Sequence, residues 1–194
     1  MRFITPSAPM RRPIPPDGPD WVHEIKWDGW RLQAHKGADG VTLYSRPGND
    51  ITARFPWIAA EIGRLPRRTL ILDGELVAFD DHERPDFHLL RRKQSAVVAF
   101  LFDILELNGA DLCGRPWRER RRFLERLMAR ERDDALRLSD VWDDGPALQR
   151  AAGSHGLEGI VSKHREAPYR SGHTDVWIKV KVPGWTEANR SRFK

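Results

Sequence analysis

Short segments that alternate apolar and polar residues dominate this chain, and they are not interleaved regularly with helices. Such segments, rich in β-branched and aromatic residues and bounded by turn-forming residues, are typical of strands. A chain whose strands mostly follow one another directly does not match the β-α-β alternation of parallel α/β proteins. The predicted strands are 21–27, 31–35, 41–45, 69–79 (a pair hinged at Asp73-Gly74), 96–105, 159–163 and 176–182.

Helical spacing of apolar residues occurs in only a few places. Phe55, Ile58 and Ile62 share one stripe within 51–65, and Pro116 suits the first turn of another amphipathic helix. The sequence therefore favours an α+β fold class, in which antiparallel β-sheets are flanked by helices. Helices are predicted for 51–65, 88–92, 116–130 and 146–154.

The composition permits one domain with an ordinary core. A length of 194 residues and a hydrophobic content of 40% suit a single globular domain. The lone Cys113 cannot form a disulfide within the chain, which fits a reducing, cytoplasmic setting. Because no apolar run is long enough to span a membrane, we expect a cytoplasmic protein without membrane contact, and we expect a monomer.

The basic residues are mostly arginine, and lysine is rare. A net charge of +5 suits a polyanionic partner such as DNA or nucleotide phosphates. Only lysine offers an amine that can lose its proton, so in an arginine-rich chain we expect lysine to persist where arginine cannot substitute. The seven lysines are Lys26, Lys36, Lys93, Lys163, Lys179, Lys181 and Lys194.

One predicted strand–turn concentrates charge around a lysine. Residues 24–31 read Glu-Ile-Lys-Trp-Asp-Gly-Trp-Arg, with Lys26 followed closely by Asp28, Gly29 and Arg31. Taken alone, this is also the pattern of a hairpin with an Asp-Gly turn and exposed charges. Gly29 would allow a close approach of the backbone in either case.

The spacing Lys-x-Asp-Gly-x-Arg resembles the nucleotidyl-acceptor motif of the covalent nucleotidyltransferases, which include DNA ligases, RNA ligases and mRNA capping enzymes. Details such as His23 before the motif, Asp86-Phe87 and Tyr169-x-x-Gly172 are most similar to the ligase domain of bacterial end-joining ligases. The resemblance implies the ATP-grasp-like adenylation fold of that family. Five further segments resemble its other motifs in order: 45–48, 72–77, 100–105, 158–163 and 177–181.

The resemblance implies that Lys26 attacks the α-phosphate of ATP and forms a lysyl-AMP intermediate. AMP would then pass to the 5′-phosphate of nicked or broken duplex DNA for strand joining in DNA repair. The attacking amine must first lose its proton, and we expect Lys163, Lys179 and Lys181 to favour that loss. Lys179 and Lys181 are the further catalytic residues, placed at the α-phosphate to stabilise its growing negative charge.

By the same resemblance, Phe102 and Val161 would enclose the adenine and Glu24 would help to fix it. As residues of strands, Phe102 and Val161 could equally belong to the core. Arg31 and Arg46 would hold the ribose or, later, the DNA 5′-phosphate. The predicted ATP-binding residues are Glu24, Lys26, Arg31, Arg46, Glu75, Phe102, Val161, Lys163, Lys179 and Lys181.

Two acids stand out because they would face a polyanion. Glu75 would contact the ribose or a divalent metal, and Glu158 would hold the metal. The expected cofactors are therefore ATP with Mg²⁺ or Mn²⁺. ATP is favoured over NAD, since the 25 residues before Lys26 leave no room for a domain that reads nicotinamide.

The motifs divide the chain into an extended lead-in at 1–20, a nucleotidyltransferase domain at 21–182 and a short basic tail at 183–194. Ligases of this family continue into an OB-fold domain, and thirteen residues after Lys181 cannot supply its five strands. We therefore expect no OB-fold domain in this chain, and an OB-fold or end-joining partner in trans for complete sealing.

Two alternative functions stay open from the sequence. The first is an RNA ligase or a capping-type nucleotidyltransferase, because the same motifs serve those enzymes. The second is a DNA-end binding module with weak catalysis, against which the retention of Lys26 and Glu158 argues.

Overall fold

The computed structural model describes residues 2–91, 96–129 and 134–188, which form two β-sheets with helices on their outer faces. No helix in these described ranges is long and apolar enough to cross a membrane. The strands are β1 (Ser7–Arg11), β2 (Trp21–Ile25), β3 (Trp30–Gly37), β4 (Gly40–Ser45), β5 (Leu70–Ala78), β6 (Val97–Leu107), β7 (Ala110–Asp111), β8 (Leu136–Leu138), β9 (Gly159–His164) and β10 (Gly172–Lys181). The α-helices are α1 (Pro56–Arg64), α2 (Trp117–Met128), α3 (Gly145–Ser154) and α4 (Trp185–Ala188), and short 3₁₀ helices occur at Thr52–Arg54 and Leu89–Arg91.

The four-stranded sheet has the order β1-β10-β9-β2. Strand β9 is antiparallel to both of its neighbours, whereas β1 runs parallel to β10. The six-stranded sheet has the order β4-β3-β5-β6-β7, and β8 adds to it parallel to β6. The α+β prediction with antiparallel sheets is confirmed, and parallel pairing occurs at β1 and β8.

Apolar residues separate into layers that match this arrangement. Helices α1 and α2 pack on the six-stranded sheet and α3 packs on the four-stranded one. A separate small cluster fills part of the space between the sheets, so the two sheets face each other across side chains. Its buried members are Ile71, Phe102, Leu105, Tyr169 and Trp177.

Two predicted elements differ from those observed. The segment 69–79 forms one continuous strand, Leu70–Ala78, because Gly74 stays in the β ladder where a Cβ would lie 2.7 Å from the carbonyl oxygen of Phe100. A register shift between Asp73 and Gly74 absorbs the irregularity that suggested a hinge. The segment 51–65 divides into a 3₁₀ turn and α1, since Pro56 has no N–H and starts a helix more readily than it continues one.

The lead-in contributes to the domain, because Ser7–Arg11 is the edge strand β1. Strands β7 and β8 were also not predicted, being only two and three residues long. The described part of the tail contains α4. Arg92 and Arg130, at the ends of two predicted helices, and residues 189–194 of the predicted tail lie outside the described residues.

An arginine of helix α2 forms a buried ion pair with an aspartate of β6. The Arg120 guanidinium donates to both carboxylate oxygens of Asp103 on β6, at 2.8 and 2.9 Å, and also to the carbonyl oxygens of Arg115 and Ala167. Both side chains are fully buried. Removing one partner of such a pair leaves an uncompensated buried charge, which is strongly destabilising.

We expect Arg120→Ala to lower the free energy of unfolding by about 3–5 kcal/mol, the usual result of breaking a buried pair. The matched control on the same helix is Arg118→Ala, whose pair with Glu166 is about half exposed and should contribute about 0–1 kcal/mol. Urea denaturation measures both values. Equal losses in the two variants would show that the buried pair does not stabilise the fold.

Candidate active site

A cavity of about 230 Å³ lies between the two sheets, and the predicted site residues line most of it. The four-stranded sheet supplies one wall and the six-stranded sheet supplies the other. Glu158 lies beside this cavity through its contact with Lys26, and Lys181 through its contact with Glu158. The lining residues are Ser7, Pro9, Glu24, Ile25, Lys26, Trp27, Gly29, Arg31, Arg46, Glu75, Phe102, Val161, Lys163, Trp177 and Lys179.

Lys26, Glu158 and Lys181 meet at one end of the four-stranded sheet. Lys26 follows the last residue of β2, Glu158 precedes the first residue of β9, and Lys181 ends β10. Because β9 is antiparallel to its neighbours, these three positions share an edge. The Lys26 amine donates to Glu158 Oε2 at 2.5 Å, and the Lys181 amine lies 2.9 Å from Oε1. One carboxylate therefore holds both lysines.

The loop between β2 and β3 presents Lys26 as it crosses from one sheet to the other. The Lys26 N–H donates to the carbonyl of Gly159 at 2.9 Å, which fixes the loop at its start. Gly29 then passes so close to β5 that a Cβ there would lie 2.0 Å from the carbonyl oxygen of Leu76. The segment is a crossover between sheets, so the alternative of an exposed Asp-Gly hairpin is wrong.

A second pair, Glu24 and Lys163, lies deeper in the same sheet. The Lys163 amine donates to Glu24 Oε1 at 2.7 Å, with both side chains almost fully buried. Burial raises the pKa of Glu24 and lowers the pKa of Lys163, and each charge opposes the shift of its partner. The Lys163 amine also lies 4.3 Å from the ring centroid of Phe102 and 4.4 Å from that of Trp177. Glu24, rather than an open phosphate position, is its immediate partner here.

Arg31 is held rigidly in the opposite wall. Its guanidinium donates two hydrogen bonds to Asp73, at 2.6 and 2.7 Å, and Tyr169 donates a third to the same carboxylate at 2.7 Å. Burial alone would lower the pKa of Arg31, but Asp73 more than reverses this and raises it. The guanidinium carbon lies 4.6 Å from the ring centroid of Phe102. Arg31 is therefore a fixed part of the cavity wall, and its contact with the ribose or the DNA 5′-phosphate stays a prediction.

Two further cations, Arg46 and Lys179, line the cavity with Lys26. Arg46 follows β4, and Lys179 lies on β10 opposite Val161 of β9. Burial lowers the pKa of Lys179, and the positive charges of Lys26 and Arg46 lower it further. Among the described residues, no carboxylate lies within ion-pair distance of the Lys179 amine. Lys179 thus brings a positive charge to the cavity without a direct acidic partner.

Glu75 is half-buried in the cavity wall beside Arg31, its partner in the β ladder. Burial raises its pKa from 4.5 to about 7, although the charges of Arg31 and Lys26 act in the opposite direction. Glu75 and Glu158 are close enough to influence each other electrostatically. Within the described ranges no three His, Cys, Asp or Glu side chains form a cluster that could hold a metal alone.

Phe102 and Val161 come from different sheets, on β6 and β9, and both line the cavity. The predicted contacts of these two residues with opposite faces of the adenine require side chains on opposite walls of the cavity, as found here. Trp177, Ser7 and Pro9 also line the cavity and were not predicted as site residues. Trp177 lay inside a quoted motif, whereas Ser7 and Pro9 gave no signal because only the pairing of β1 with β10 brings them here.

Comparison with known protein families shows which family the chain belongs to. The model of the ATP dependent DNA ligase domain matches residues 15–181. The chain belongs to this family. The resemblance drawn from the motifs is confirmed, and the matched residues include every predicted site residue.

Individual relatives of this ligase domain agree with the assignment. The chain is 35% identical over 98% of its length to the multifunctional non-homologous end joining protein LigD of Pseudomonas aeruginosa, and it spans 24% of that protein. It is 36% identical over 81% of its length to a probable DNA ligase of Kineococcus radiotolerans, of which it spans 33%. The chain thus covers about a quarter to a third of the length of these relatives.

Solved structures give the same result for the fold. A mycobacterial DNA ligase D complexed with ATP and MES superposes with a TM-score of 0.82 at 30% identity, covering 92% of this chain and 60% of that one. The ligase domain of LigD from M. tuberculosis gives the same TM-score and identity, covering 92% of this chain and 59% of that one. The predicted adenylation fold is confirmed, while the roles of individual site residues stay predictions.

The raised pKa of Glu75 predicts a pH-dependent effect on stability. The unfolded chain releases this proton near pH 4.5 and the folded chain near pH 7, so the wild type loses stability as the pH rises through that interval. Glu75→Gln cannot ionise and escapes the loss. We expect the melting temperature of Glu75→Gln, relative to wild type, to be higher at pH 8 than at pH 5. The same difference at both pH values would contradict the raised pKa.

Proposed function

We propose that this ligase domain transfers AMP from ATP to the side-chain nitrogen of Lys26 and then to the 5′-phosphate of broken or nicked DNA. The observation that carries the proposal is the position of the Lys26 amine, at the mouth of a cavity lined by cations and held by Glu158 at 2.5 Å. A solved relative at 30% identity is described as complexed with ATP, which supports ATP as the donor.

The first step is an in-line displacement at the α-phosphorus. The Lys26 nitrogen forms a bond to phosphorus, the bond from phosphorus to the bridging oxygen breaks, and pyrophosphate leaves with the bonding electrons. The ammonium must lose one proton before it attacks, and the nearest acceptor is Glu158 Oε2. The second proton leaves the nitrogen to solvent once the bond to phosphorus has formed. Glu158 is thus suited to orient the amine before attack and to take up its proton.

The charge of the remaining side chains matches this displacement. Negative charge grows on the phosphate oxygens in the transition state, and fixed cations in a partly dry cavity stabilise it strongly. Lys179 suits this role best, because its amine is not engaged by a nearby carboxylate among the described residues. Lys181 reaches the same region through its ion pair with Glu158. Lys163 pairs with Glu24, so its charge lies at the part of the cavity wall that is predicted to bind the adenine.

Glu75 and Glu158 fit a divalent metal, whose expected identity is Mg²⁺ or Mn²⁺. Carboxylate oxygens are the ligands these hard cations prefer, and Mg²⁺ is usually held by one or two carboxylates together with substrate phosphates and water. When bound, the metal would supply positive charge that favours the neutral amine of Lys26.

The DNA substrate and the cellular setting are inferred from the relatives. The LigD protein of Pseudomonas aeruginosa is named for end joining, and the Kineococcus radiotolerans relative is named a probable DNA ligase. We therefore place the domain in cytoplasmic repair of DNA breaks, as part of or together with other end-joining components. Arg46, on the loop after β4, is the better candidate for a DNA phosphate contact than the fixed Arg31.

The test is covalent labelling of two lysine variants that keep the positive charge. Incubation with ATP and Mg²⁺ should add one AMP to the wild type, measured as intact mass, and Lys26→Arg should abolish the adduct because a guanidinium stays protonated. The matched control is Lys36→Arg, since the Lys36 amine contacts only backbone carbonyls of Gly63 and Leu65 among the described residues. It should label like the wild type.

An adduct that persists in Lys26→Arg would overturn the assignment of the nucleophile. Labelling with GTP in preference to ATP would instead favour a capping-type nucleotidyltransferase. The Lys26→Arg variant therefore tests the choice of nucleophile, and the comparison of GTP with ATP tests the choice of nucleotide donor.

A further inference from the structure

The segment 3–12, here called the amino-terminal strap, connects the two sheets along one side of the cavity. At its start it is attached to the six-stranded sheet. The Phe3 ring packs edge-on against Tyr44 of β4, with ring centroids 5.6 Å apart. Gln33 of β3 then accepts from the Ile4 N–H at 2.9 Å and donates to the Ile4 carbonyl at 2.8 Å. The strap is therefore fixed to β3 and β4.

Further along, the strap is attached to the four-stranded sheet. The Ser7 N–H donates to the Tyr169 hydroxyl at 2.9 Å, and the Ser7 hydroxyl donates to the carbonyl of Arg170 at 2.7 Å. Strand β1 then pairs with β10, and the Arg12 N–H donates to the carbonyl of Lys179 at 3.1 Å. The strap thus ends against the backbone of a residue that carries one of the cavity cations.

Its two ends contact the segments that hold Arg46 and Lys179. Phe3 packs on the loop of Arg46, where Gly48 has a φ of +89° and a Cβ would lie 3.3 Å from the Phe3 ring. Glycine there gives both the left-handed backbone and the room for the ring. Arg46 and Lys179 are close enough for the charge of one to lower the pKa of the other. The strap therefore contacts both of the segments that carry these two cations.

The middle of the strap forms part of the cavity wall itself. Ser7 and Pro9 line the cavity, and the pairing of β1 with β10 is interrupted beside Pro9. Pro9 lies opposite Thr174, but Met10 lies opposite Ile178, so three residues of β10, ending at Trp177, have no partner on β1. An irregularity of this kind bends a strand and redirects its side chains, and Trp177 lines the cavity at this point.

We propose that the strap is a positioning element of the nucleotide site: it closes the cavity with Ser7 and Pro9 and sets the spacing of Arg46 and Lys179. The inference rests on the proposed binding of ATP in this cavity. It concerns residues outside the matched ligase model, which begins at residue 15. Phe3 anchors the end of the strap at Arg46, which is predicted to hold the ribose, while the pairing of β1 with β10 holds the other end at Lys179. Loss of the Phe3 contact should therefore weaken nucleotide binding more than the chemical step.

The test compares Phe3→Ala with the control Ile14→Ala. Phe3 anchors the strap without lining the cavity, whereas Ile14 lies just beyond the strap and is 71% exposed. Loss of one aromatic contact should raise the KM for ATP in Lys26 adenylation about 2- to 12-fold in Phe3→Ala. We expect kcat to change less than about twofold, the sign of lost binding that is uniform between substrate and transition state. Ile14→Ala should match the wild type in both.

A second measurement on the wild type covers the case in which Phe3→Ala folds poorly. Addition of ATP should slow hydrogen exchange of the Ser7 and Arg12 amides, which donate to Tyr169 and Lys179. A merely structural strap would lower the melting temperature of Phe3→Ala, leave KM unchanged and show no response of these amides to ATP. That result would overturn the inference. A wild type that forms no adduct with ATP would instead refute the proposed function.

Discussion

Both oxygens of the Glu158 carboxylate are engaged by lysine amines, Oε2 by Lys26 at 2.5 Å and Oε1 by Lys181 at 2.9 Å. This requires the end of β2, the start of β9 and the end of β10 to lie side by side. The antiparallel pairing of β9 with β2 and β10 provides that arrangement. The contact orders the long Lys26 side chain, which would otherwise sample many rotamers. The proposed nucleophile therefore has a fixed position beside the cavity.

The six-stranded sheet contributes the opposite wall through buried polar contacts. Asp73 accepts from Arg31 and from Tyr169, and Tyr169 in turn accepts from the backbone of Ser7. A polar network of this kind is stable in a low-dielectric interior only when its members are paired, and here each has a partner. This network joins both sheets and the strap. The contacts that hold the two sheets together therefore also define the cavity between them.

Much of the site could be predicted because its chemistry is local in sequence. The acceptor segment around Lys26 and the acid Glu158 each lie in a short motif, and both line or border the cavity as expected. What could not be predicted depends on pairing between distant segments. The Lys163 amine is directed to Glu24, 139 positions away, and Ser7 and Pro9 reach the cavity only through the parallel pairing of β1 with β10. The hinge expected at Gly74 was wrong because a close backbone approach, rather than a turn, requires glycine there.

We propose that the nucleotide binds in the space between the sheets, with its α-phosphate at Lys26. A crystal structure of the chain after incubation with ATP and Mg²⁺ tests it most directly. We predict AMP joined to the Lys26 nitrogen, with the adenine between Phe102 on β6 and Val161 on β9. A nucleotide bound elsewhere, such as the groove between residues 80–85 and the end of α3, with Lys26 still on Glu158, would contradict it.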